Sequence, residues 1–265
     1  MRMWARGIAA VVLGGSLLAV SGCYSSAISI AKCAAEAKKT ESVECDFAAG
    51  STLRVRNDFG PISVCGGDSA GCQVTGRIYV HAPTKREARE IGEQVRIAAE
   101  PNDGTVLVTA EIPPLEKDRG VWVDLRIAVP SRANVDCETE FGRVKFVGIE
   151  GDIRGHTEFG PITCNKIISG RIDVQTEFGA IHVKCEDASP ADLVADARTE
   201  YGKIRFKAPE SFGGSFDIRT EFGSTGAKLD VASRDQWTHS HKMGDVGSGK
   251  GRVSLQTEFG SVKLK

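Results

Sequence analysis

The sequence has no run of basic residues, no GxSxG, HExxH, phosphate-loop or dinucleotide fingerprint in a supporting context, and no apolar stretch that spans a bilayer comfortably. The first absence argues against a nucleic-acid partner, which needs a clustered cationic footprint. The second leaves serine-hydrolase, zinc-protease, nucleotidase and dinucleotide chemistry without their usual supports. The third means that the apolar run at 8–20 is no membrane span by itself. Aromatics are scarce, 6% of 265 residues, so the placement of the 11 phenylalanines becomes informative. A chain of this length can bury a sizeable core as one or two domains and needs no cofactor to do so.

Residues 1–22 read as a bacterial export signal, with Arg2 and Arg6 before the apolar run. The segment Leu18-Ala19-Val20-Ser21-Gly22-Cys23 resembles the lipobox of bacterial lipoproteins, in which the cysteine is acylated and becomes the new N-terminus. The resemblance implies an exported protein, lipid-anchored at Cys23 to the cell membrane or outer membrane and facing the periplasm or exterior. Removing 1–22 takes away two arginines and no acid, which moves the formal charge from −1 to −3. Export also permits disulfides. Cys65 and Cys72 bracket Gly-Gly-Asp-Ser-Ala-Gly and form a candidate bridge, with Cys33 and Cys45 as a weaker pair. Cys137, Cys164 and Cys185 fall at inward positions and read as buried free thiols.

Residues 23–42, small, polar and alanine-rich, read as the lipid-attachment cysteine and a tether, with a short helix at 27–38. Residues 43–130 alternate apolar and polar side chains as half-buried strands do, interrupted by a helix at 84–98 with Thr84 as its cap. Together they predict a small α+β segment before the repeats.

From 131 to 265 a single unit recurs. TEFG stands at Thr139, Thr157, Thr176, Thr220 and Thr257, TEYG at Thr199, and a looser NDFG at Asn57. The glycines from Gly142 to Gly223 are 18 to 23 residues apart, and the 37-residue gap to Gly260 leaves room for one more turn, with HKMG ending at Gly244 in the slot. Self-similarity at such a period marks a stacked architecture. Alignment gives apolar columns led by Val135 and Val144, and an aromatic column of Phe141, Phe159, Phe178, Tyr201, Phe222 and Phe259 that parity assigns to the interior. The expectation is an all-β-dominated fold, a parallel β-solenoid with one turn per repeat and the glycine at a sharp corner.

The outward face carries a glutamate column, Glu140, Glu158, Glu177, Glu200, Glu221 and Glu258, beside an aspartate column. Like charges about 5 Å apart repel by about 1 kcal/mol in water, and Arg198 and Arg219 relieve only the later turns. Glu138, Glu140, Glu158 and Glu177 are therefore a candidate face for Ca2+ or a cationic ligand, the alternative being a solvated face with splayed side chains. His239 and His241 have the spacing of a metal pair but lack a recognisable third and fourth ligand. Every acid singled out recurs in several turns, which suits a structural register better than a single catalytic centre.

NDFGPISV at 57–64, VDLRIAVP at 123–130 and the TEFG-x-[IV] units together resemble a bacterial adhesin domain family, whose members are largely uncharacterised envelope proteins, over residues 51–265. That resemblance implies a right-handed β-solenoid outside a membrane and brings no catalytic or ligand residues with it. Residues 224–251 depart from the family's pattern. The expected function is a non-enzymatic, lipid-anchored envelope module that binds an envelope protein, a polysaccharide or further copies of itself. The alternatives are a polysaccharide-active enzyme and a self-assembling bactofilin-like scaffold or envelope-stress component.

Overall fold

The computed structural model describes residues 35–265 apart from 230 and 232, and the side chains of 233–237 lie outside that description, as do the export signal, Cys23 and Cys33. β1 (Ala35–Cys45), β2 (Thr52–Phe59) and β3 (Ile62–Ala82) precede the helix α1 (Lys85–Gln94), which is followed by β4 (Arg96–Asn102), β5 (Thr105–Glu111) and β6 (Gly120–Pro130). A longer and a shorter strand then flank each motif glycine. They are β7 (Asn134–Phe141) and β8 (Val144–Val147), β9 (Ile153–Phe159) and β10 (Ile162–Ile167), β11 (Arg171–Phe178) and β12 (Ile181–Cys185), β13 (Val194–Tyr201) and β14 (Ile204–Lys207), and β15 (Gly214–Phe222) and β16 (Thr225–Ala227). The hairpin β17 (Ser233–Trp237) and β18 (His241–Val246) comes before the last pair, β19 (Gly251–Phe259) and β20 (Val262–Leu264).

Among the described residues the fold is all-β with one helix, and its sheets are largely parallel. The longer strands form one sheet in the order β17-β18-β15-β19-β13-β11-β9-β7-β2-β5-β4. The shorter ones form a second, β1-β3-β8-β10-β12-β14-β20-β16, with β6 also against β3. Pairing is in register: Thr176 lies opposite Thr157 and Thr199, and Phe178 opposite Phe159 and Tyr201. The register continues back across residue 130, with Leu53 opposite Val135 and Phe59 opposite Phe141, so the looser NDFG belongs to the same stack.

Alternation explains the core. Leu53, Val135, Ile153, Ile172, Ala195, Val253 and Phe216 form one buried column of the larger sheet, and Ile62, Val144, Ile162, Ile181, Ile204 and Val262 face them from the smaller one within a single apolar cluster. Each such branched side chain contributes roughly 1.5–3 kcal/mol on burial. Phe146 is fully buried beside Gly155, where a Cβ would come within 2.9 Å of its ring, so a missing side chain on one sheet makes room for a large one on the other.

α1 is shorter than expected, because the chain returns to a strand at Arg96, but Thr84 does cap it by accepting a hydrogen bond from the Glu87 amide at 3.2 Å. Residues 35–42 are not tether or helix. They belong to β1, which pairs antiparallel with the second arm of β3.

The largest departure from expectation is the order of the units. β19 and β20 come last in sequence yet lie between β13/β14 and β15/β16. HKMG does not occupy a further parallel turn: β18 runs antiparallel to β15, with Gly244 opposite Phe216. To return to the far side of β15 the chain must cross it at close range. A Cβ on Gly249 would stand 2.1 Å from the Gly213 carbonyl oxygen, and one on Gly214, whose φ is +149°, only 2.0 Å from that of Gly251. The glycine-rich stretch at 247–251 is the consequence.

Candidate functional site

The TEFG unit shapes the surface at the corner between the sheets. Its threonine points inward and is buried, and its hydroxyl donates to the motif-glycine carbonyl of the neighbouring unit: Thr157 to Gly142 at 3.0 Å, Thr176 to Gly160 at 2.9 Å and Thr199 to Gly179 at 3.0 Å. In the looser copy Asn57 takes this place, its amide reaching Gly60 O at 3.0 Å and Val123 O at 2.9 Å. Successive corners therefore sit directly on one another. A Cβ on Gly179 would lie 2.1 Å from the Gly160 oxygen, so close backbone approach excludes any larger residue there.

The aromatic column is continuous, but it lies outside. Phe59, Phe141, Phe159, Phe178, Tyr201, Phe259 and Phe222 stack in that order with centroids 4.7 to 5.3 Å apart and planes within 7° of parallel. The rings are 37% to 62% exposed, which corrects the interior assignment. Strand parity holds as far as the threonine. The chain then bends at the corner, and the aromatic residue faces outward beside the glutamate.

Three outward columns cover the larger sheet next to these rings. The first, Arg54, Asp136, Arg154, Asp173, Asp196, Ser254 and Asp217, is laced by Arg54–Asp136 at 3.4 Å and Arg154–Asp173 at 4.0 Å. The second, from Arg56 and Glu138 to Arg198, Gln256 and Arg219, supplies counter-charge: Arg56 meets Glu138 at 3.7 Å, Arg198 meets Asp196 at 2.8 Å, and Arg219 pairs with Asp217. The third runs Asp58, Glu140, Glu158, Glu177, Glu200, Glu258 and Glu221, seven carboxylates with no ion pair among the described residues. An open groove of about 430 Å³ lies between the second and third columns, with Glu177, Glu200, Glu258 and Glu221 along one wall.

Of the four carboxylates expected to share a cation, Glu138 is engaged by Arg56, and Glu140, Glu158 and Glu177 stand one per strand along the third column. Among the described residues no three His, Cys, Asp or Glu gather as a ligand set. His239 and His241 do not form a metal pair either. His239 lies exposed in the turn before β18, while His241 Nε2 meets Asp217 Oδ1 at 2.9 Å. Burial works to raise the Asp217 carboxyl, but hydrogen bonds and charge from Arg219 and His241 outweigh it and hold the group below the ordinary aspartate range.

The Cys65–Cys72 bridge is absent, and geometry explains why. In β6, Ala128 lies opposite both Cys65 and Gln73, so β6 runs between the two arms of β3. The thiols are thereby held two strand spacings apart, roughly 9–10 Å, where a disulfide needs about 4.4–6.8 Å between Cα atoms. Cys72 instead faces Cys45 across the β1–β3 pair, and burial pushes its thiol up to about 12. Cys137, Cys164 and Cys185 are buried free thiols, as their inward parity implied.

A second charged surface escaped the sequence reading. On the outer face of the smaller sheet, His182, Arg205 and Lys263 share one column, and Lys184, Lys207, Lys265 and Lys228 lie along the next. Its signal was present as basic residues two apart in the strand after each motif glycine, spread too thinly to form a run.

The chain matches no protein-family model, and no curated protein matches it. Among solved structures, it is similar to a protein of Clostridium sporogenes named provisionally for cell adhesion, at 13% identity and a TM-score of 0.48 over 86% of this chain and 99% of that one. It is also similar to provisionally named adhesins of Bacteroides fragilis (12% identity, TM-score 0.32, 86% and 97% covered) and Parabacteroides merdae (7%, 0.33, 87% and 96%).

Proposed function

We propose that this chain is a non-enzymatic binding module of the bacterial cell envelope. It is a right-handed parallel β-solenoid, exported, lipid-anchored through Cys23 and presenting a repetitive surface to an envelope polysaccharide or protein. The observation that carries the reading is the in-register repetition of exposed chemistry, strand after strand, about 4.8 Å apart. Such a surface offers many equivalent weak contacts to a repeating or extended partner, where a catalytic centre would need one distinctive constellation. Antiparallel strands at both ends of the larger sheet, β4 at one and the β17–β18 hairpin at the other, work against end-to-end assembly of copies.

A glycan array followed by product analysis tests the reading. Retention of one glycan class without shortening of the chain supports it, and release of cleaved products contradicts it. The anchor is tested separately by labelled palmitate, whose incorporation is expected to disappear in Cys23→Ala; equal labelling in both forms would remove the lipid anchor from the proposal.

A further inference from the structure

The basic face of the smaller sheet has no part in the columns beside the aromatic stack, and its chemistry differs from theirs. β12, β14, β20 and β16 lie side by side there because the C-terminal strand pair enters the stack rather than ending it. That insertion places Lys263 next to Arg205, and Lys265 next to Lys207 with Lys228 on its other side. The two cationic columns are about 6.6 Å apart along the strands, and their members roughly 4.8 Å apart across them. They border an open groove of about 600 Å³. Lys184 meets Glu186 at 3.9 Å, but Arg205, Lys207, Lys228, Lys263 and Lys265 have no ion pair among the described residues. Neighbouring unit charges at that spacing repel by about 1 kcal/mol in water and about 3–4 at an effective dielectric of 20, so anions laid along the groove relieve a standing repulsion.

We infer that this face binds a linear acidic polysaccharide of the polyuronate kind, one carboxylate per sugar, lying across the strands along the stack. The proposal rests on the binding-module reading and names its ligand class and face. Three features favour a polymer over an anionic membrane. The site is a groove. Just past the ends of β12 and β14 the chain turns acidic at Glu186, Asp187 and Glu210, with the Glu210 amide donating to Asp187 Oδ1 at 3.2 Å. Across the motif-glycine corner the larger sheet carries the carboxylate column, so the cationic surface is confined to a strip along the stack.

The test uses the full chain carrying Cys23→Ala, so that no attached lipid contributes, with polygalacturonate as the probe. Expected is saturable retention on polygalacturonate, none on neutral dextran, and loss near 1 M salt, where the screening length falls to about 3 Å. Arg205→Gln/Lys263→Gln/Lys265→Gln should weaken retention about tenfold or more at unchanged thermal unfolding, and Glu100→Gln, on the exposed face of β4, should leave it unchanged. Absence of retention, equal retention by the triple variant, or a preference for phosphatidylglycerol vesicles that depends on these three side chains would overturn the inference. The binding-module reading fails by a different result, shortening of the polymer by the protein. It survives if another glycan is held without the basic face.

Discussion

Threonine and the aromatic ring sit two residues apart in every repeat, and a regular strand would point both the same way. Here the threonine hydroxyl is tied to a neighbouring corner while the ring stacks outside, so the two positions carry different loads. Phe178→Ala should cost about 1–2 kcal/mol, since the residue is 43% exposed, whereas Phe206→Ala, at a position only 2% exposed, should cost about 3–5 kcal/mol. Chemical denaturation of the two variants checks the contrast, and equal losses would return the aromatic column to the interior. Gly179→Val, which drives a side chain into the Gly160 carbonyl, is expected to be among the most damaging single changes. Among the cysteines, diamide, which takes up two hydrogens as two thiols join, should link Cys45 to Cys72 and leave Cys65 free, and peptide mapping reads the outcome.

At the scale of elements, the repeat and its inward columns were legible because the TEFG phrase fixes the phase of both strands around it. Two things were not. Parity counting cannot see how the chain turns at the corner, where Phe178 at the end of β11 faces out although Thr176, two residues earlier, is buried. Nor does similarity between repeats say which copies are neighbours, so the entry of β19 between β13 and β15 left no periodic trace. Its marks were the 37-residue gap before Gly260 and the cluster of glycines that the crossing requires. Truncation after Lys250 should therefore unfold the last units, whereas removing the end repeat of a sequentially stacked protein is tolerated better. The β15–β18 pairing carries a pH signature. The Asp217 carboxyl is held below its ordinary value, so its contribution is complete at neutral pH and fades as acid takes the pH down through that lowered value. Asp217→Asn should lower the unfolding temperature at pH 7 and match the parent at strongly acid pH.

Across the whole molecule, charge is separated by face: a carboxylate column and mixed ion pairs lie on the larger sheet, and unpaired lysines and an arginine on the smaller one. Even a formal charge of −1 for the entire sequence conceals this, because opposite signs fall on opposite sides of one core. The function of each face depends on the order in which units are stacked, since that order decides that Lys263 and Lys265 lie within the basic face and Glu258 within the acidic column. Amide hydrogen exchange along the whole chain tests the order most directly. Protection across β19, residues Gly251–Phe259, should equal that of β11 and exceed that of β17; exchange of β19 as fast as a fraying chain end would contradict the stack described here.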